Sequence, residues 1–247
     1  MINVKSLTTA ATVLGLSASF AGADIIGDAI TVTAYDADNM SDSATWTFTG
    51  QADDAGNMSY SMDESVELVG SASGETLATL QGAGVQFIAD PVVDLNFDVT
   101  GGFGNTVVVV ESGELTFGTI NNAVAEATVG LSVTDNQAFP SAPGVNISPM
   151  GGASYLANTD GLAPAGENFA SLLTNPINFT SGTQAFTDNE PSSVITGATS
   201  SISSRFQFTL SAGDFVSATS SFTVIPTPSG LALIGLGGLA AGVRRRR

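Results

Sequence analysis

The stretch Val-Val-Asp-Leu-Asn-Phe-Asp-Val, residues 92–99, alternates apolar and polar side chains with a period of two. One face carries Val93, Leu95, Phe97 and Val99, and the other carries Asp94, Asn96 and Asp98. Because successive side chains of a β-strand point to opposite faces, this pattern predicts a strand with one buried and one hydrated face.

The same alternation recurs on both sides of this stretch. It covers Ala29–Tyr35, Thr45–Gly50, Ala123–Asp135, Arg205–Leu210 and Phe215–Val224. Ser112-Gly113 lies between two further apolar runs and predicts a tight hairpin turn. About eight or more strands at roughly ten-residue spacing predict an all-β fold, either an antiparallel β-sandwich or a jelly roll.

Two segments depart from this pattern. Gly166–Pro176 is the best candidate for a helix, of one or two turns and ended by proline. The stretch from Gln137 to Pro191 is rich in Pro, Gly, Asn and Ser. It predicts either long loops at one end of the sandwich or a variable insert, and loops of this kind are a candidate contact surface.

Charge is distributed very unevenly along the 247 residues. Five of the six basic residues lie near the two ends, whereas all 23 acidic residues fall between Asp24 and Asp214. With Arg205 as its only basic residue, this middle part has a formal net charge of −22. Such a field repels phosphates, which argues against nucleic acid binding, and it attracts cations.

The chain has no cysteine and no histidine, and its only lysine is Lys5. This composition excludes Ser-His-Asp and Cys-His catalysis, zinc-imidazole sites and haem ligation by histidine. A glycosidase using two carboxylates needs none of these residues. With 23 acids, however, close carboxylate pairs arise by chance, so no catalytic residue is predicted. The single tryptophan, Trp46, is predicted to belong to the core.

Three acidic clusters are candidate calcium sites, because calcium binds six to eight oxygen ligands that neighbouring loops can supply. The first cluster contains Asp36, Asp38, Asn39 and Asp42. The second contains Asp53, Asp54 and Asn57, and the third contains Asp188, Asn189 and Glu190. The first cluster is not an EF-hand loop, because Met40 occupies an alternate ligand position. Aspartate in turns also caps and bends the chain without any metal, and this alternative stays open.

The N-terminus has the three parts of a secretory signal peptide. Lys5 provides a positive region, residues 7–20 are moderately apolar, and Ala21-Gly22-Ala23 is a small-x-small cleavage site. This order predicts export, with residues 1–23 removed and a β-sandwich domain spanning residues 24–225.

The C-terminus combines Pro226-Thr227-Pro228, an uncharged segment and the cluster Arg244, Arg245, Arg246 and Arg247. The uncharged residues 231–243 would span about 20 Å as a helix, against a hydrocarbon core of about 30 Å. The arginines favour the cytoplasmic side of a membrane. The pattern predicts a short helix that is only marginally inserted in the membrane, which as a permanent structure would be a weak tail anchor.

This tail, residues 226–247, resembles the PEP-CTERM sorting signal, with Thr227 where glutamate is commonest. The resemblance implies export to the cell surface, outer envelope or biofilm matrix of a bacterium that makes exopolysaccharide. It also implies processing near the Pro-x-Pro motif by an exosortase, a membrane protease. A short helix suits a signal that only holds the protein until the protease has acted.

These observations favour an exported, non-enzymatic protein of the cell surface or extracellular matrix, structural or adhesive in function, without a cofactor other than calcium. Exopolysaccharide is an expected partner and nucleic acid is not. Two alternatives from other classes are a carbohydrate-binding module, which would use Trp46 or a tyrosine, and a secreted carboxylate-dependent polysaccharide hydrolase.

Overall fold

Alternating apolar residues form β-strands throughout the part of the chain that the structure describes. A computed structural model describes residues 23–136, 146–162 and 165–226, and within these ranges it contains strands and no helix. The strands are β1 (Asp24–Asp36), β2 (Ser43–Phe48), β3 (Met58–Ser61), β4 (Val66–Val69), β5 (Thr76–Ile88), β6 (Val92–Gly101), β7 (Thr106–Asn121), β8 (Val124–Asp135), β9 (Ile147–Pro149), β10 (Tyr155–Thr159), β11 (Glu167–Leu172), β12 (Gly182–Val194), β13 (Ala198–Leu210) and β14 (Phe215–Ile225).

The strands form two seven-stranded antiparallel sheets that pack face to face, which confirms the predicted β-sandwich. Sheet 1 has the order β11-β10-β13-β7-β1-β2, and β9 pairs with β13 beyond the end of β10. Sheet 2 has the order β12-β8-β14-β6-β5-β3, and β4 pairs with β5 beyond the end of β3. In sheet 2 the edge beside β5 is therefore formed by two short strands, β3 and β4. In sheet 1 the short strand β9 pairs with the part of β13 that β10 leaves free.

The core is the layer of inward side chains between the two sheets. The four apolar residues predicted to share a face of β6 are all buried there. Among them, Phe97 packs edge-on against Phe206 of sheet 1, with ring centroids 5.0 Å apart. Buried aromatic pairs of this geometry add about 0.5–1.5 kcal/mol beyond their area burial, so Phe97 ties the two sheets together.

A tyrosine hydroxyl lies inside this apolar layer. Tyr155 of β10 is fully buried, and its hydroxyl lies 3.0 Å from the hydroxyl of Ser204. Burial, partly offset by the hydrogen bond with Ser204, raises the pKa of Tyr155 to about 12. The hydroxyl is thus neutral at physiological pH, and its bond with Ser204 makes its burial tolerable.

The predicted hairpin turn at Ser112-Gly113 is wrong. Strand β7 runs through both residues, and the chain does not reverse there. The pairing of β7 with β1 and with β13 shifts register at this point, so the two residues form an irregularity within a long central strand. A side chain at Gly113 would come within 2.7 Å of the backbone oxygen of Asp28, which explains the glycine without a turn.

The predicted helix at 166–176 is also wrong. Residues Glu167–Leu172 form β11, which pairs with β10 at the edge of sheet 1. Ala170 and Leu172 are buried two residues apart, and Phe169 stacks on Phe222 with centroids 5.3 Å apart. Pairing with a neighbouring strand and burial of one face outweigh the weak local helix preference.

The loose stretch 137–191 is not one long loop or insert. Its described part contains β9, β10, β11 and most of β12, which belong to both sheets. Its high content of small and polar residues reflects the two edge strands β11 and β12, which expose much of their surface. Most residues of β12, for example, are exposed.

Candidate functional site

The first predicted calcium cluster lies in the turn between β1 and β2, but its carboxylates bind backbone groups. Oδ1 of Asp36 accepts a hydrogen bond from the backbone N–H of Asp38, 2.9 Å away. The Asn39 side chain accepts a bond from the Ser41 hydroxyl. These are local turn bonds of the kind that Asp and Asn commonly form.

Asp42, the last member of this cluster, is buried and joins two turns. Its carboxylate accepts hydrogen bonds from the backbone N–H groups of Ala72 at 2.7 Å and Ser73 at 3.2 Å. The Ser73 side chain and the Ala72 N–H hold the pKa of Asp42 below its usual value. A Cβ atom at Gly70 would lie 2.6 Å from both carboxylate oxygens, so the absence of a side chain there makes room for this contact.

The second cluster closes the turn before β3. Oδ1 of Asp53 accepts bonds from the N–H groups of Ala55 and Asn57, at 2.9 and 2.8 Å. Asn57 in turn accepts a bond from the N–H of Ala89 at 3.0 Å, whereas Asp54 is exposed. This cluster also uses its oxygens to fix the backbone.

The third cluster lies on the edge strand β12. Oδ2 of Asp188 accepts a bond from the N–H of Leu173 at 2.9 Å, and Oδ1 accepts one from the N–H of Asn189. Leu173 has a φ of 55°, a costly conformation for a branched side chain. Asp188 thereby holds the end of β11 beside β12, across the open side of the sandwich.

Within residues 23–136, 146–162 and 165–226, no three acidic side chains come together in a group that could hold a metal ion. The structure places Asp36, Asp38 and Asp42 in one turn and Asp53 and Asp54 in another, and the carboxylates of Asp36, Asp42 and Asp53 accept the backbone hydrogen bonds described above. Calcium binding stays a prediction that only a measurement on the protein can test.

An interaction that the sequence did not predict joins Asp214, in the turn between β13 and β14, to Asn146. Asp214 is buried, and its carboxylate accepts bonds from Nδ2 of Asn146 at 2.9 Å and from the N–H of Asn136 at 3.0 Å. Oδ1 of Asn146 accepts the N–H of Phe179 at 2.8 Å. Burial raises the pKa of Asp214. The hydrogen bonds from Asn146 and Asn136 partly offset this by lowering the pKa, and the negative charge of Asp135 raises it further.

A polar groove of about 480 Å³ lies on the outer face of sheet 2. The strand register places its side chains in two neighbouring rows that cross the sheet. One row contains Gln86, Asp94, Ser221 and Thr128, and the next contains Gly84, Asn96, Thr219 and Gly130. Ser59 and Ser61 of β3 complete the lining at one edge. We call this surface the sheet 2 groove.

Glycine makes the second row lower than the first. Gly84 and Gly130 flank Asn96 and Thr219, and neither supplies a side chain. A Cβ at Gly84 would lie 2.7 Å from Nδ2 of Asn96, so the asparagine amide leans over the space above that glycine. The result is a depression with amide and hydroxyl groups along its sides.

Asp94 is the only charged residue in the groove lining. Its Oδ1 is shielded from solvent and has no hydrogen-bond partner among the described residues. An acceptor left without a donor costs about 1–3 kcal/mol, more when charged. Because this oxygen is shielded, a ligand reaches it only if the Asp94 side chain rotates about its soft terminal torsion.

Three aromatic residues pack on the inner face beneath β3, opposite the face that carries the groove. Tyr60 pairs with the core residue Val85, and its ring stacks on Phe48 with ring centroids 3.6 Å apart, whereas Trp46 lies 6.1 Å from Tyr60. All three pack against the core and remain partly exposed, so they help to close the sandwich between the edge strands β2 and β3.

The predicted end signals lie mostly outside the described residues. Ala21 falls outside them, as do Thr227, Pro228 and all four terminal arginines, whereas Ala23 and Pro226 are the first and last residues described. No helix that is long and apolar enough to cross a membrane occurs in the described ranges.

Comparisons with known proteins identify no relative by sequence. No family model matches the chain, and no curated protein matches it. Among solved structures, the enzymatically active domain of tailspike protein 4 from bacteriophage CBA120 is 9% identical, with a TM-score of 0.31 over 68% of this chain and 19% of that chain. The C-terminal CBM6 of LamC, a marine laminarinase from Zobellia galactanivorans, is 9% identical, with a TM-score of 0.21 over 66% of this chain and 99% of that one. At such TM-scores neither structure informs the function.

Proposed function

We propose that this chain is an exported, non-enzymatic β-sandwich protein of the bacterial cell surface or extracellular polysaccharide matrix, with a structural or adhesive function. In this proposal residues 1–23 direct export, and residues 226–247 hold the protein at the inner membrane until an exosortase-type protease processes it. The sandwich between them is the functional part outside the cell.

The observation that carries the proposal is the agreement between the strand limits and the two sequence signals. Strand β1 begins at Asp24, directly after the predicted cleavage site, and β14 ends at Ile225, directly before Pro226. Removing both ends would leave every strand pair of the sandwich intact.

The charge of the sandwich supports a role among other polymers. With 23 acidic residues and one arginine, its surface gathers cations and keeps the protein soluble. We propose that divalent cations such as calcium bridge these carboxylates to acidic groups on neighbouring chains. Light scattering of the purified protein tests this: calcium, but not sodium at equal ionic strength, is expected to increase particle size. Equal sizes in both salts contradict the bridging.

The mass of the C-terminal peptide of protein recovered outside the cells tests the sorting proposal. A terminus between Pro226 and Ser229, without the arginines, is the expected result. A variant with Pro226→Ala and Pro228→Ala is expected to keep its C-terminus and to remain with the membrane, whereas the matched control Pro176→Ala, an exposed loop proline, is expected to be processed. A terminus at Arg247 in membrane fractions of the unaltered protein contradicts processing.

A further inference from the structure

We infer that the sheet 2 groove binds a neutral polysaccharide chain, lying across strands β3, β5, β6, β14 and β8. This inference rests on the proposed function, because it names the matrix component that the exported sandwich contacts. It is carried by the lining, the charge and the shape of the groove.

The groove offers the hydrogen-bonding groups that sugar hydroxyls need. Its outward side chains are the amides of Gln86 and Asn96, the carboxylate of Asp94, and hydroxyl groups from β3, β8 and β14. Amides and hydroxyls both donate and accept, and carboxylates accept, so adjacent ring hydroxyls find partners along both rows. The unpartnered Oδ1 of Asp94 is an acceptor that a ligand hydroxyl can satisfy.

Charge selects a neutral ligand. The groove contains one carboxylate and no basic residue, and the only basic residue in the described ranges, Arg205, forms a 2.6 Å ion pair with Glu111 of sheet 1. An acidic polysaccharide or a nucleic acid would meet a surface of net negative charge without a countercharge. A protein partner is disfavoured by the lack of an apolar centre, because interface hot spots are buried aromatic and arginine anchors.

The shape of the groove suits an extended chain. Five strands spaced about 4.8 Å apart give a path of roughly 19 Å across the sheet. The hydroxyls of Ser59 and Ser61 on β3 line one end of this path, and Thr128 of β8 lies at the other.

Affinity electrophoresis tests the inference on the full-length chain in a detergent without a sugar headgroup. Native gels contain dextran, mannan, galactomannan, xylan or a soluble β-glucan. The chain carries a net charge of −17 and migrates strongly, and neutral polymers do not alter the field, so retardation reports binding. At least one of these neutral polymers is expected to retard the protein, and alginate, which is acidic, is expected to retard it less.

Two pairs of variants locate the site. Thr219→Tyr places a ring in the middle of the groove and is expected to weaken binding at least about tenfold. Its matched control, Thr47→Tyr, changes an exposed strand threonine of sheet 1 and is expected to bind normally. Asn96→Ala removes an amide from the groove and is expected to weaken binding by about tenfold, whereas Asn175→Ala, on an exposed loop, is expected to have no effect.

Absence of retardation by all five neutral polymers overturns the inference, and so does equal weakening by Thr219→Tyr and Thr47→Tyr. Stronger retardation by alginate than by any neutral polymer overturns it as well. The proposed function is tested separately by the C-terminal mass. If the protein is processed but binds no polymer, the sorting proposal stands and the inference about the groove fails. If it binds a neutral polymer but is not processed, the inference about the groove stands and the sorting proposal fails.

Discussion

Replacement of Asn146 by alanine is the sharpest test of the link that Asp214 and Asn146 form at one end of the sandwich. The side chain of Asn146 is buried and makes two hydrogen bonds, one to the carboxylate of Asp214 and one from the N–H of Phe179. The substitution leaves an acceptor of Asp214 and the donor of Phe179 without these partners.

Each buried group left without its partner costs about 1–3 kcal/mol, so the loss of two partners in Asn146→Ala is expected to lower the free energy of unfolding by about 2–6 kcal/mol at neutral pH. For a domain of this size that corresponds to a fall in Tm of about 4–24 °C. Urea unfolding followed by tryptophan fluorescence or circular dichroism measures the change. Asn175→Ala, which changes an exposed asparagine, is the control and is expected to stay within about 0.5 kcal/mol of the unaltered protein.

The loss is expected to depend on pH, with a sign that follows from the raised pKa of Asp214. A raised folded-state pKa means that the contribution of Asp214 to stability is present below its ordinary pKa of 3.8 and is lost as the pH rises through the folded-state value. The Asn146 amide lowers that pKa, and its removal raises the pKa further. The difference in stability between Asn146→Ala and the unaltered protein is therefore expected to be larger at pH 7 than below the ordinary pKa.

Three results would refute this reasoning. The first is a loss of unfolding free energy in Asn146→Ala no larger than that in Asn175→Ala. The second is a difference in stability between Asn146→Ala and the unaltered protein that grows as the pH falls. The third is that the stability losses of Asn146→Ala and Asp214→Ala simply add in a double-mutant cycle. Contacting residues of one hydrogen-bond network are expected to couple by about 0.5–3 kcal/mol in such a cycle.

Three further predictions concern the core and the turn that Asp42 organises. Phe97→Ala removes the ring that packs against Phe206 and is expected to cost about 3–5 kcal/mol in urea unfolding; a loss below about 1 kcal/mol would contradict its central position. Gly70→Ala places a methyl group against the carboxylate of Asp42 and is expected to cost about 1–3 kcal/mol, whereas Gly104→Ala, where a Cβ meets open space, is the control; equal effects would show that the turn adapts freely. The pKa of Asp42 is lowered, so its contribution to stability is present above the ordinary pKa of 3.8 and is lost as the pH falls through the folded-state value. Between pH 6 and pH 2, the Tm of Asp42→Asn is expected to fall less than the Tm of the unaltered protein. An equal dependence of Tm on pH in the two proteins would count against the bonds to Ala72 and Ser73.

The period-two alternation predicted the fold class because it depends only on which face of a strand each side chain occupies. Residues 92–99 form most of β6 with the predicted face buried, and the other alternating segments are strands as well. Local signals were less reliable where a neighbour decides the structure. Ser112-Gly113 and the segment 166–176 carry turn and helix signals, yet both are strands because adjacent strands pair with them.

The candidate groove was only half visible in the sequence. The polar side chains of β6 could be read directly from the alternation, whereas their neighbours in the groove could not. Asp94 and Asn96 meet Ser221 and Thr219 of β14 across more than 120 residues of chain, and such pairing is not encoded in any local pattern.

The sequence by itself determined that the middle of the chain is β-structured, strongly acidic and without histidine or cysteine chemistry, because composition and side-chain periodicity are local properties. Only the tertiary structure decided what the acidic residues do. It turned Asp42, Asp53 and Asp188 toward backbone N–H groups, buried Asp214 against Asn146, and placed Asp94 in an open groove. The physical reason is that a carboxylate acts through the donors that folding brings within about 3 Å of it, and those donors come from distant parts of the chain.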